Sequence, residues 1–197
     1  MKPDNNTPRD SAIANALSSI NKGARLPCNV FTQMWDDYLF FESYMMFDNS
    51  FIEAKNTILR EEGSSEIALV NLGNGPNTSD VKQSIIFLEK NLITSEYISI
   101  LKGDGSPLNW IFLMDRYVCA SDKGNWCIYC EKENDIAVLA VRNTLPESMI
   151  LKLRDLLKAD SIKTICDSKI NRPFDFDKLV LDWKATLITD YGQMKKV

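Results

Sequence analysis

Apolar residues recur at helical spacing in several stretches of the chain, separated by Gly, Pro and Asn. Such a stripe predicts a helix that packs one face against a core. Start signals such as Asp10 and stop signals such as Gly63 delimit some of these stretches. The helices predicted in this way span residues 10–23, 29–47, 48–63, 79–93, 144–159 and 175–192.

Short apolar runs bounded by turn residues predict strands. Three of them, at 108–120, 125–131 and 135–142, follow one another with connections short enough for hairpins, which predicts an antiparallel meander. The third run, DIAVLAVR, is apolar at successive positions, as in a strand that is covered on both faces. Further strands are predicted at 65–73 and 161–167, whereas 96–103 is ambiguous between helix and strand.

These elements predict an α+β fold. N-terminal helices would pack on a mainly antiparallel sheet that contains the three-stranded meander, and a helix–strand–helix unit would end the chain. At 197 residues we expect a single domain over 1–197, with a flexible tail at 1–9. The glycine-containing segments 73–77 and 102–107 are predicted loops, and the second is a possible boundary between subregions. Neither has the residue order of a phosphate-binding loop.

Charge and hydropathy narrow the class of partner. The formal net charge is −4 and the sequence pI is about 5.0, which disfavours nucleic acid as a ligand because phosphate binding needs a basic surface. An acidic surface suits a basic protein partner. The N-terminus MKPDNNTPRD has no apolar signal region, and no apolar run approaches the length of a membrane helix. We therefore expect a cytoplasmic protein without membrane contact.

The chain contains no histidine, which removes the commonest general base and the usual zinc ligand. Its five cysteines, an odd and scattered number, are expected to be reduced thiols that pack as small apolar side chains. Cys127 and Cys130 form a CxxC pair, but they lie in a predicted strand, where residues three apart face opposite sides. We expect packing rather than a metal or redox site, and no cofactor or metal.

Carboxylates are the remaining candidates for chemistry. Asp36 and Asp37 form an acidic pair in a predicted helix, where adjacent residues diverge, so a solvated polar face is the favoured interpretation. Asp115 and Arg116 interrupt an apolar strand. A strand-end ion pair is favoured there, with a ligand-binding arginine as the alternative.

Acidic residues also surround Lys132 at the predicted turn between the second and third strands of the meander. Glu131, Glu133 and Asp135 make up this group. An ordinary solvated turn is the favoured interpretation. The alternative is a contact for a basic partner, with charge steering the encounter and aromatic residues anchoring it. The candidate partner-binding residues are Glu131, Glu133, Asp135, Asp122 and Tyr129.

The meander also resembles a known class of proteins. WIFLMDR followed by GNWCIYCEKENDIAVLAVR is similar to the small cytosolic immunity proteins of bacterial toxin–immunity systems, including those of contact-dependent inhibition and polymorphic toxins. The similar pattern is Trp126, Tyr129 and Glu131, then Ile136–Val138, within residues 108–142. The resemblance implies a protein without catalysis that binds a cognate toxin domain, often a nuclease, and blocks its active site. It carries over no binding residue, since these families vary at the toxin-facing surface.

We therefore expect a cytoplasmic immunity protein that binds a basic toxin domain. The alternatives are a small enzyme that uses Asp36, Asp37, Asp115 or Cys127, and a regulatory or adaptor module. Convergent carboxylates with a raised pKa would favour the enzyme, and several partners would favour the adaptor.

Overall fold

The computed structural model describes residues 7–73, 85–103, 115–167 and 181–192. Within these ranges six α-helices accompany six strands and a 3₁₀ helix. The helices are α1 (Pro8–Ser18), α2 (Asn49–Glu62), α3 (Thr94–Lys102), α4 (Glu147–Leu157), α5 (Ile162–Asp167) and α6 (Leu181–Tyr191). The strands are β1 (Asp37–Glu42), β2 (Glu66–Asn71), β3 (Ile85–Glu89), β4 (Arg116–Ser121), β5 (Trp126–Glu131) and β6 (Ile136–Val141), and the 3₁₀ helix is Ser43–Phe47.

The described strands form one antiparallel sheet in the order β1-β6-β5-β4-β2-β3. The predicted meander is confirmed as β4-β5-β6, with Tyr117 opposite Cys130 and Trp126 opposite Val141. The pairing of β4 with β2 brings both sides of the predicted 102–107 boundary into the same sheet. The fold is α+β, as the sequence predicts.

Helices cover the sheet on both faces. On one face, α2, α3, α4 and the 3₁₀ helix pack over alternate strand residues such as Leu139 and Ile128. On the other, α1, α5, α6 and the segment 20–35 pack over the intervening residues, such as Val138 and Tyr129. All six residues of β5 and all six of β6 are buried, which confirms that the third meander strand is covered on both faces.

Local signals account for several helix ends. Thr7 caps α1 in a capping box with Asp10, so the helix begins two residues before the position predicted from Asp10. Asp48 caps α2 by accepting from the Ser50 N–H, and Gly63 ends this helix as predicted, in the left-handed conformation at φ 69°. Several predicted segments lie outside the described residues. They are residues 1–6 of the predicted tail, most of the loops 73–77 and 102–107, and residues 175–180 of the last predicted helix.

The prediction of one helix over 29–47 is wrong. Residues 37–42 form β1, which pairs with β6, and 43–47 form the 3₁₀ helix. The helical spacing of Phe31, Trp35 and Tyr38 reflects an aromatic cluster, in which the ring centroid of Phe31 lies 6.2 Å from that of Trp35 and 5.5 Å from that of Tyr38. The run Tyr38–Phe41 is apolar at every position because both faces of β1 are buried.

Two shorter assignments are also wrong. Residues 85–89 form β3 rather than part of a helix, and Ile86 and Leu88 contact one core layer while Ile85 and Phe87 contact the other. Residues 162–167 form α5 rather than a strand, since Ile162, Ile165 and Cys166 have the spacing of one helical face. Just before α5, Asp160 makes a single β-bridge to Phe40.

In the ranges that the structure describes, no helix combines the length and the apolar character needed to cross a bilayer.

Gly63→Ala tests the left-handed end of α2. A Cβ at Gly63 would meet no heavy atom within 4 Å, so the cost is confined to the backbone at φ 69°. We expect a loss of about 1 kcal/mol in the free energy of unfolding, measured by urea denaturation.

Gly23→Ala is the matched control for that substitution. Gly23 is not at positive φ, and its added Cβ would be 3.5 Å from Asn21 Oδ1, an ordinary contact. Equal free energies of unfolding for the two variants would contradict the conformation assigned to Gly63.

Candidate partner-binding surface

The turn between β5 and β6 is fixed against the 3₁₀ helix. Asp135 has a left-handed backbone at φ 53°, and its N–H donates to the Lys132 carbonyl. Its carbonyl accepts from the Ser43 N–H, and its Oδ1 accepts from Ser43 Oγ at 2.7 Å. These hydrogen bonds hold the carboxylate of Asp135 in one position, and because the residue is exposed this position is at the surface.

Glu131 and Tyr129 lie inside the protein rather than on this surface. Glu131 is 1% exposed, and its Oε1 accepts from the Leu26 N–H at 3.0 Å and from the Tyr129 hydroxyl at 2.5 Å. Its Oε2 accepts from Asn134 Nδ2 at 2.6 Å. These bonds attach the segment 20–35 to the sheet. A partner cannot reach either side chain in this structure, which removes both from the predicted contact.

Arg116 supports the same attachment. Its Nη1 donates to the carbonyls of Lys22 and Ala24, each at 3.4 Å. Burial raises the pKa of Tyr129, the Glu131 carboxylate raises it further, and Arg116 opposes the shift. Through these hydrogen bonds Arg116 holds the chain between α1 and β1, instead of forming the predicted ion pair with Asp115.

Asp122, another predicted contact residue, orders the start of β2. Its Oδ1 accepts from the Ser65 and Glu66 N–H groups at 3.0 and 3.2 Å, and its side chain is half-buried. Glu133 differs, because its side chain is 69% exposed and it forms a 3.5 Å ion pair with the exposed Arg25. Exposed pairs of this kind contribute little stability. Of the five predicted residues, Glu133 and Asp135 are the ones whose carboxylates face solvent.

The sequence prediction missed an exposed aromatic residue beside this turn. Tyr44, in the 3₁₀ helix, is 46% exposed. A hydrogen bond to the Glu42 carboxylate, with smaller effects from burial and from the charges of Glu42, Asp135 and Asp48, raises the pKa of Tyr44 to about 12. We call Glu42, Tyr44, Asp48 and Asp135 the Tyr44 surface. The alternation of acidic and aromatic residues in FESYMMFD is its sequence signal, which the helix assigned to 29–47 concealed.

The cysteines of the CxxC pair diverge, as predicted. Cys127 packs in the core layer under α1 and α6, and Cys130 packs in the layer under α2 and α4. Burial raises the pKa of the Cys127 thiol to about 12 and also raises that of Cys130. Neutral thiols are poor nucleophiles and metal ligands. No group of three or more Cys, Asp or Glu side chains suited to a metal ion occurs in the part of the chain that the structure describes.

Asp36 and Asp37 lie at the start of β1 instead of on a helix. Asp36 Oδ2 accepts from the Asn143 N–H at 3.0 Å. Asp37 accepts from the Tyr38 N–H at 2.9 Å, and burial raises its pKa, with Arg154 opposing the shift and Asp160 adding to it. This partly buried carboxyl, beside a shallow depression that includes Ser161 and Lys163, is the feature most compatible with acid–base chemistry.

Comparisons with known proteins do not assign the chain to a family. No family model matches it, and no similar curated protein or solved structure was found.

Glu131→Gln tests the buried carboxylate. A glutamine amide can accept with one oxygen only, so its NH₂ group would face Asn134 or Tyr129 as a second donor. We expect a loss of about 1–3 kcal/mol in the free energy of unfolding by urea denaturation.

Glu133→Gln, two residues further along the same hairpin, is the control. Its side chain is mostly exposed, so we expect a change within about 0.5 kcal/mol. Similar losses in the two variants would be incompatible with the different burial of the two carboxylates.

Proposed function

We propose that this chain is a cytoplasmic immunity protein that binds a cognate basic toxin domain, a nuclease, and neutralises it by covering its active site. The Tyr44 surface is the observation that carries the proposal. It combines an exposed aromatic ring with carboxylates close enough to raise the pKa of its hydroxyl. Interface hot spots are enriched in tyrosine, and surrounding charge selects the sign of the partner.

The electrostatics of the Tyr44 surface favour a cationic partner. Glu42, Asp48 and Asp135 all act on the Tyr44 hydroxyl in the same direction, which indicates a negative potential at the ring. Glu133, on the same hairpin turn as Asp135, is also exposed, although Arg25 pairs with it and offsets part of its charge. A nuclease binds a polyanion and therefore presents cationic side chains at its active site. A negative surface can compete for those side chains and speed up the encounter.

Several contacts hold this surface in place before any partner binds. Ser43 donates hydrogen bonds to the backbone carbonyl and to the carboxylate of Asp135. Asp48 caps α2 by accepting a hydrogen bond from the Ser50 N–H. Tyr44 lies between these two positions, in a 3₁₀ helix whose Met45 and Met46 side chains are buried. A surface ordered in advance loses little conformational entropy on binding, which favours tight association.

The enzyme alternative has its own supporting observation, the raised pKa of Asp37. A carboxyl that stays protonated to a higher pH than usual can serve as a general acid. Arg154 and Asp160 are its charged neighbours. This alternative requires a small-molecule substrate beside Asp37, where the depression lined by Ser161 is too small to hold a water molecule. The immunity proposal instead predicts a protein ligand at the Tyr44 surface. An adaptor would bind several unrelated proteins.

Co-expression of the tagged chain with the product of the neighbouring gene tests the proposal. We expect a stoichiometric complex and rescue of growth from the toxicity of that product. A soluble, folded chain that neither captures the product nor protects cells would overturn the proposal. If the chain then showed an enzymatic activity of its own, and Asp37→Asn abolished that activity, the enzyme alternative would be favoured.

Tyr44→Ala tests the anchor in that complex. Loss of a central aromatic contact should weaken binding tenfold or more, mainly through faster dissociation, measured by surface plasmon resonance.

The double variant Asp135→Asn with Glu133→Gln should instead slow association at low salt, because both changes remove negative charge. Asparagine keeps an oxygen for Ser43 and tolerates the positive φ of Asp135.

Glu61→Gln is the matched control for these charge changes. Glu61 is an exposed carboxylate near the opposite end of α2 from Asp48, and it pairs with Arg60. We expect its rate constants to equal those of the wild type. The pair removes two charges and the control removes one. Slowing by the control of about half that of the pair, on a logarithmic scale, would therefore indicate an effect of net charge and would exclude the Tyr44 surface as the contact.

A further inference from the structure

Lys55 is a charged residue within an apolar layer. It lies in the middle of α2, is 1% exposed, and has buried neighbours in Ile52, Ile58 and Leu59. An ammonium group removed from water is destabilised unless hydrogen bonds and an opposite charge replace its hydration.

The structure compensates this charge only in part. Lys55 Nζ donates to the carbonyl of Glu89, at the end of β3, at 2.5 Å. Among the described residues, the ionisable groups that act on it are the Glu89 carboxylate and the Cys119 thiol. The Glu89 carboxylate is mostly exposed and pairs with Arg9, and burial keeps Cys119 neutral by raising its pKa. Among the described residues, Lys55 takes part in no ion pair.

The effect of this burial on protonation has a definite sign. Burial lowers the pKa of Lys55 from 10.5 to about 8, with the two neighbouring groups opposing the shift. In an opened state the amine is hydrated and regains the higher pKa. Between about pH 8 and pH 10.5 the opened state therefore binds more protons than the closed state, and closing becomes more favourable as the pH rises.

The weakest element near Lys55 is the one that supplies its hydrogen-bond acceptor. Among the described strands β3 is at the end of the sheet and pairs only with β2. Leu88 is the one fully buried residue of β3, whereas the residues from Ile85 to Phe87 are half-buried and Glu89 is exposed. In α3, which follows, Tyr97 and Leu101 are the buried residues. Segments with little buried surface open locally at lower free energy than the whole protein.

We propose that residues 85–102, comprising β3, the turn after it and α3, open as one local unit, and that the charge on Lys55 sets how often they do so. Opening breaks the bond from Nζ to the Glu89 carbonyl and admits water to the ammonium. The protonated amine favours the opened state and the neutral amine favours the closed state. The proposal is independent of the immunity function.

Hydrogen–deuterium exchange read by mass spectrometry tests this on the full chain, after correction for the intrinsic pH dependence of exchange. The opening constant of residues 85–102 should be about tenfold lower at about pH 9 than at about pH 7, given the two pKa values of Lys55. In Lys55→Met the constant should be lower at both pH values, and it should no longer differ between them.

Lys90→Met is the matched control, because Lys90 lies in the turn after β3 and is exposed. It should retain the wild-type tenfold difference. An opening constant that does not change between the two pH values in the wild type would overturn the proposal. So would an equal change in every segment of the protein, since that would indicate global unfolding. If Lys55→Met does not fold, the wild-type comparison and the Lys90 control still decide the outcome.

Discussion

The central strands of this protein lie between two layers of helices, so both faces of these strands are removed from water. Each residue of β5 and β6 must then be apolar or have its polar atoms bonded inside the protein. This explains the uninterrupted apolar sequence IAVLAV and the cysteines that alternate between the two core layers. It also means that each buried ionisable group needs hydrogen bonds or an opposite charge inside the protein, because water cannot solvate its charge.

Two buried side chains, Glu131 and Lys55, and the half-buried Glu62 meet this constraint in different ways. Glu131 accepts hydrogen bonds from Leu26, Tyr129 and Asn134, and thereby attaches the chain between α1 and β1 to the sheet. Glu62 accepts from the indole of Trp126 and from the Asn125 N–H, which attaches the end of α2 to β5. Lys55 is bonded to one carbonyl, and its charge is the least compensated of the three. The first two stabilise the fold, whereas the third leaves an edge of it easier to open.

The same constraint separates structural from available acidic residues at the β5–β6 hairpin. Positions within the strand point into a core layer, so Tyr129 and Glu131 are buried, whereas Glu133 and Asp135 in the turn are exposed. The sequence alone could identify the acidic turn, but it could not show which carboxylates are buried and which are exposed. Tyr44 was missed because its neighbours in sequence suggested a helix. Its proximity to Asp135 results from the pairing of β1 with β6, almost a hundred residues apart in the chain.

By itself the sequence determined the features that depend on neighbouring residues. These are the α+β class, the β4-β5-β6 meander, the end of α2 at Gly63, and the divergence of Cys127 and Cys130, since turns, caps and strand alternation are local. The tertiary structure decided whether the apolar runs 37–42 and 85–89 became strands, because a strand covered on both faces and a buried helix have similar sequences. It also decided which charges reach solvent, since long-range strand pairing and helix packing set the burial of each side chain.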